Sequence, residues 1–269
     1  MIFETIGEYV SGAADRLRAA KIESPRREAR LLLAYATGKT VEWIVAHNDE
    51  RTEELPQFEH ALGRREAREP LSHIMGEREF WSLPFQVNAS VLDPRPDSEI
   101  IVSSVLANYP ETDRPLKIAD LGTGTGCLWL SILHERPAAK GIGVDISESA
   151  LSTARGNASI LGLSARTTFV QSDWDSELDG TFDVVLSNPP YIPTAEIGSL
   201  APEIARYEPR CAIDGGADGL VAYRRIADAL PQLLEPNGLV ALEIGQGQDS
   251  SVLKILRDSG IQIVSLEKD

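Results

Sequence analysis

The chain has 269 residues, 42% of them hydrophobic and 25% charged, enough for one large core or two unequal ones. Forty-one acidic against 26 basic residues leave a net charge of −15, a field that opposes non-specific binding to nucleic acid or an anionic membrane. Two cysteines (Cys127, Cys211) and four scattered histidines provide neither a disulfide framework nor a metal-ligand spacing, so no metal is expected. No apolar run approaches the ~18 residues of a membrane span. The N-terminal MIFETIGEYV lacks the basic-then-apolar plan of a signal peptide. The expectation is a soluble protein of a reducing compartment.

In chain order, the first 75 residues read as helices. Ser24-Pro25 pairs an N-cap residue with proline at the first helical position, opening a helix that carries Leu31, Leu32 and Leu33 and closes at Gly38. Thr40 is placed to cap the next helix, VEWIVAH, and a charged helix is expected from about Thr52 to Arg68. EFWSLPFQVN, Glu79 to Asn88, has the short aromatic character of a hairpin with Leu83-Pro84 at its centre. VLDPRPDSE, Val91 to Glu99, is a proline-stiffened connector, and a domain boundary is expected near it.

From Leu116 onward short apolar runs (LKIAD, GIGVD, TTFVQ, FDVVLS, LVALEIG) alternate with helical stretches such as SESALSTARGNASILG. That alternation predicts an α/β domain with a parallel sheet covered on both faces. Ligands of such sheets bind outside the carboxyl ends of the strands, so the residues just after each run carry the information.

After LKIAD comes LGTGTGCLWLSIL. Gly122, Gly124 and Gly126 permit a tight turn and close backbone approach, and the following helix offers N–H groups to an anion. A plain strand-to-helix turn would use the same glycines. What separates the two is Asp145, at the end of the next run and 21 residues beyond Gly124, where an acid can accept both hydroxyls of a ribose. The spacing is G-x-G-x-G, not the dinucleotide G-x-G-x-x-G, and Asp120 precedes it. An acid near the loop suits the ammonium of S-adenosylmethionine, with loop and helix N–H groups for its carboxylate. Asp173 of QSDW can accept from an adenine amino group. Trp174 can lie against the ring, unless it merely covers the sheet edge.

SNPPYIP, Ser187 to Pro193, ends the fourth run. Asn188 then projects into the crevice, and Pro189 and Pro190 freeze the backbone so that the Pro189 carbonyl is held still. Two fixed acceptors suit a planar –NH₂ group, and Tyr191 can pack against it. An Asn that only caps its own turn is the plain alternative. Cys127, in the first turn of the glycine-loop helix, has no evident partner base and is expected to pack.

DLGTGTG, VDIS, QSDW and SNPPYIP, in this order and at these spacings, resemble the peptide-chain release factor glutamine methyltransferases, the HemK/PrmC family. EPLSHIMGEREFWSLPFQVNASVLDPRPDSE resembles the family's linker, and YEPRCAIDGGADGL its loop before the fifth strand. The resemblance implies a helical substrate-recognition domain (1–75), a hairpin and proline-rich linker (76–97), and a seven-stranded Rossmann-like methyltransferase domain (98–269). It implies S-adenosylmethionine as donor and the glutamine amide of the Gly-Gly-Gln motif of release factors as acceptor. The expected role is in translation termination, in the cytoplasm and as a monomer, with no nucleic-acid or membrane partner. Asp120, Gly122, Thr123, Gly124, Thr125, Gly126, Asp145, Asp173, Trp174 and Asn188 fall at the cofactor, and Asn188, Pro189, Pro190 and Tyr191 at the glutamine.

The alternative acceptor is the amino group of adenine in DNA or RNA, disfavoured by the charge and by the lack of a basic stripe. A non-catalytic dinucleotide-binding module would leave SNPPYIP without a role. Asp93 stands where the family commonly has Ile, Asp97-Ser98 replaces Glu-Thr, and His73 replaces a usual Tyr and is expected to pack. IQIVSLEKD falls at an expected sixth strand, so the seventh is expected to be very short or missing.

Overall fold

The computed structural model describes residues 5–268. They divide into two compact units, the first taking the chain up to Gly76 together with Ala201–Tyr207, the second holding the remainder.

The first unit is helical. α1 (Ile6–Ala19) opens with a capping box in which Thr5 and Glu8 bond each other's backbone N–H. α2 (Pro25–Thr37) has Pro25 in its first turn and ends at Gly38 with φ 66°; Ser24 occupies the N-cap, but its hydroxyl makes no capping bond. α3 (Val41–Ala46) is capped by Thr40, whose hydroxyl accepts from the Trp43 N–H at 3.2 Å. α4 (Pro56–Glu66) begins at Pro56 and not near Thr52, because a residue preceding proline is driven out of helical backbone. α5 (Leu71–Met75) completes the segment, and His73 within it is buried. Leu17, Leu32, Leu33, Ile44, Phe58 and Leu62 form the core. Arg65 is buried beside it between Glu28 at 2.6 Å and Glu203 at 3.0 Å, the latter from the Ala201–Tyr207 segment.

The second unit opens with the hairpin β1 (Glu77–Phe80) and β2 (Leu83–Gln86). Its two-residue turn, Trp81-Ser82, has φ 53° and 56°, backbone normally left to Asn-Gly. Trp81 is held there by two bonds, its backbone N–H to Glu99 Oε1 at 2.7 Å and its indole N–H to Glu135 Oε1 at 3.0 Å. After α6 (Glu99–Asn108), strands and helices alternate: β3 (Lys117–Leu121), α7 (Cys127–Glu135), β4 (Lys140–Asp145), α8 (Glu148–Ile160), β5 (Thr167–Gln171) and β6 (Phe182–Ser187). Beyond β6 the chain gives the short α9 (Pro202–Tyr207) to the first unit, and the second continues with α10 (Arg210–Ile213), α11 (Val221–Leu233), β7 (Leu234–Leu242) and α12 (Asp249–Asp258).

The sheet is parallel with order β5-β4-β3-β6-β7, so the winding reverses between β3 and β6. Both faces are covered, as the apolar runs require. Ile118, Val184 and Leu186 pack with α6 and α7, while Ala119, Leu121 and Val185 pack with α11 and α12. Gly141 and Gly143 on β4 make room for Trp129 of α7, since a Cβ at either would meet its ring at 2.8 Å.

The expected seven strands are not observed; among the described residues the main sheet has five. The segment from Ile261 to Lys268 is irregular. Ile261 and Ile263 pack against the α11–α12 core while Val264 is 74% exposed, so the segment is anchored by side chains without entering the ladder. Among the described residues no helix is long and apolar enough to cross a membrane.

Candidate active site

A cavity of about 350 Å³ opens at the carboxyl ends of β3, β4 and β6, the place where the sheet order reverses. At one end lies the glycine loop. Gly122, Gly124 and Gly126 all have positive φ, at 73°, 55° and 81°. The loop is tied down from within: the N–H groups of Gly122 and Thr123 donate to the Val144 carbonyl, and that of Gly126 donates to the Thr123 carbonyl. The Gly124 N–H donates to Asp145 Oδ2 at 3.0 Å, and the Thr125 hydroxyl accepts from the Cys127 N–H at 3.3 Å. Most of the loop's N–H groups therefore shape the turn itself, and fewer than expected remain for an anion. Asn157 of α8 adds a clamp, its carboxamide bonding Gln86 of β2 and the Thr125 carbonyl.

Asp145 lines the cavity with its second oxygen accepting from the Ser147 N–H at 2.9 Å. Burial raises its pKa, and the N–H donors work against that rise. Asp120 lies beneath the loop and not in the cavity wall. Its Oδ2 accepts from the Thr123 hydroxyl at 2.7 Å, which itself accepts from the Trp129 indole N–H at 2.8 Å. Oδ1 is buried without a partner, and burial pushes the Asp120 pKa up to about 7. Asp173 and Trp174 reach the cavity from the end of β5, and Trp174 also packs on the α11 side of the sheet.

At the other end stands Asn188, leaving β6. Its Nδ2 donates to Glu243 Oε2 at 2.8 Å and to the Ser98 hydroxyl at 3.3 Å. Ser98 in turn donates to Glu243 Oε2, and the Tyr191 hydroxyl donates to Glu243 Oε1 at 3.2 Å. Pro190 lines the cavity, whereas Pro189 is buried and outside the lining. Tyr191, expected against a planar substrate group, turns its ring to the sheet core and its hydroxyl to Glu243, whose charge adds to burial in pushing its pKa up to about 12.

Sequence inspection did not single out Glu243, Ser98 or Glu208 as site residues. Ser98 and Arg95 come from the proline-stiffened connector, which forms a wall of the cavity. Arg95 pairs with Glu208 at 3.0 Å, and the same carboxylate accepts from the Asp93 N–H at 3.2 Å. Burial outweighs the Arg95 charge and raises Glu208 to about 7. The one available signal was for Glu243, an acid closing the apolar run LVALE. Burial pushes the Cys127 thiol up to about 12, leaving a packing residue. No cluster of metal-ligating side chains occurs among the described residues.

A parallel sheet, a glycine loop and an acid at the end of the next strand define a Rossmann-like α/β domain. The fold is shared with the hMettl16 catalytic domain solved in complex with MAT2A 3′UTR hairpin 6, at a TM-score of 0.58 and 18% identity over 72% of this chain and 74% of that one. Residues 8–76 match the PrmC N-terminal domain, and residues 97–235 the methyltransferase small domain. The chain is 45% identical to the release factor glutamine methyltransferase of Caulobacter vibrioides, covering 98% of this chain and 92% of that one. It is 43% identical to that of Rhodospirillum rubrum, over 98% and 81%. The chain belongs to the release factor glutamine methyltransferase family, enzymes that use S-adenosylmethionine as methyl donor.

Proposed function

We propose that this protein methylates the side-chain amide nitrogen of the glutamine in the Gly-Gly-Gln motif of peptide-chain release factors. The observation that carries this reading is the orientation of Asn188. Its –NH₂ group is committed to Glu243 and Ser98, so its Oδ1 is the atom left to accept from a substrate –NH₂.

The residues around the cavity suit S-adenosylmethionine. Asp120, buried beneath the glycine loop with an unpartnered Oδ1, favours a cation above the loop through its charge and not by contact, while Asp145 suits the ribose and Asp173 with Trp174 the adenine. When bound, the donor supplies an electrophilic methyl group on a sulfonium. An amide nitrogen is a weak nucleophile, so the protein's task is to hold it in line with that methyl. Asn188 Oδ1 accepts one amide N–H, held in place by a backbone exit that Pro189 and Pro190 stiffen. That acceptor strengthens its hold as the nitrogen becomes positive, so it favours the transition state over the ground state. After methyl transfer the surplus proton on nitrogen passes to water.

The helical unit is read as the part that recognises the release factor, and the cytoplasm as the place of reaction, where Cys127 and Cys211 stay free thiols. Incubation with labelled methyl donor and purified release factor, followed by mass-spectrometric location of the label, tests the proposal. Label on the Gly-Gly-Gln glutamine is the expected result. Label on DNA or RNA adenine, or on no glutamine, would overturn it.

A further inference from the structure

We infer that Glu243, at the end of β7, is a positioning residue that sets which way the Asn188 carboxamide faces, an inference that rests on the role of Asn188 proposed above. A carboxamide can be turned end for end at little steric cost, and only its partners decide which atom faces the substrate. Here the partner is a carboxylate oxygen 2.8 Å from Nδ2. Flipping Asn188 would place Oδ1 against that oxygen, acceptor against acceptor, at a half-buried position. The carboxylate itself cannot yield. Its Oε2 also accepts from Ser98 and its Oε1 from the Tyr191 hydroxyl, so three donors from two segments, the connector and the SNPPYIP exit, converge on it.

The Glu243 backbone is equally fixed. Its N–H donates to the Ser187 carbonyl at 3.1 Å, beside Asn188 in the chain, and its carbonyl accepts from the Tyr223 hydroxyl at 3.0 Å. Tyr223 is fully buried in the α11 core, so the strand end bearing Glu243 is referenced to the packed interior. Glu243 does not line the cavity, which places it behind Asn188 and separates its role from contact with substrate.

The decisive experiment is a double-mutant cycle on kcat with intact release factor, together with donor affinity by calorimetry and melting temperature. Glu243→Leu should lower kcat about a hundredfold, as losing a preorganised polar group at a reacting centre does, with donor affinity unchanged. In an Asn188→Ala background the same substitution should change kcat by less than about threefold, because its effect passes through Asn188. Glu243→Gln, whose Oε1 can still accept from Asn188 while its Nε2 donates to Tyr191, should restore kcat to within about tenfold of the parent, the loss expected on exchanging a charge-assisted for a neutral hydrogen bond. If the leucine variant does not fold, Glu243→Ala, which leaves room for water, takes its place.

Three outcomes overturn the inference: a leucine or alanine variant with parental kcat, an effect that is additive with Asn188→Ala, or a glutamine variant as impaired as the leucine one. The last would mean that the charge acts directly. A parental kcat for Asn188→Ala alone would instead remove Asn188 from the chemistry, and with it both this inference and the reading beneath it.

Discussion

The two ends of the cavity are built differently. The glycine-loop end is held mainly by backbone bonds between residues close in sequence or on adjacent strands, Gly122 and Thr123 to Val144 and Gly124 to Asp145, with one side-chain clamp from Asn157. The Asn188 end is held by side chains that meet across 55 residues to Glu243 and 90 to Ser98. A ribose-and-phosphate-like ligand edge can be met by a backbone turn, and one strand–loop–helix unit supplies that turn. Orienting a neutral amide takes side chains with chosen donor and acceptor faces, and these must be fixed from several directions. The donor end should therefore fail through binding, and the acceptor end through rate.

The largest expected effect tests the acceptor end. Asn188→Ala should lower kcat about a hundredfold or more while leaving donor affinity and melting temperature near the parent's. Asn188→Asp should be impaired too, since it would set a second carboxylate against Glu243. A large fall in melting temperature, with kcat preserved in the folded fraction, would make Asn188 a turn residue and dissolve the contrast between the ends.

At the donor end, Asp145→Ala should weaken S-adenosylmethionine binding by about 10- to 150-fold, from roughly 1.5–3 kcal/mol for hydrogen bonds to a charged group. The change also frees the Gly124 N–H, so the loop loses a tether as the ribose loses its acceptor. Calorimetry showing parental affinity in a folded variant would take Asp145 out of the site.

A smaller effect concerns Asp120, whose pKa burial lifts to about 7 from an ordinary carboxylate value. A raised folded-state value means the group is neutral below that pH and ionised above it. An anion that favours the donor's ammonium is thus present at about pH 7.5 and largely lost by about pH 6, so donor affinity should fall roughly tenfold or less across that interval. Asp120→Asn should flatten this dependence; parallel pH profiles for parent and variant would show that Asp120 only supports Thr123.

The smallest change returns to the acceptor end. Ser98→Ala removes one donor to Glu243 but leaves the bond from Asn188, so kcat should fall only about threefold. Ser98→Thr, which keeps the hydroxyl, should restore it. If Ser98→Ala matched Asn188→Ala in steady-state assays, the serine hydroxyl and not the carboxylate would be fixing the amide.

What could be read from the sequence was whatever local backbone chemistry dictates. Gly122 to Gly126 with Asp145 at the next strand end, the apolar runs of a doubly covered sheet, Pro25 and Gly38 around a helix, and the stiff SNPPYIP exit all leave a short-range signature. The irregular backbone of residues 261–268 where a sixth strand was expected, the inward turn of Tyr191, the burial of Asp120 below the loop and the meeting of Ser98, Asn188 and Glu243 were decided by the tertiary structure. Ladder pairing and side-chain hydrogen bonds between distant segments have no period and no fixed spacing. They exist only once the sheet order has brought β6, β7 and the connector before α6 to one end of the sheet, and that order is set by packing both faces at once.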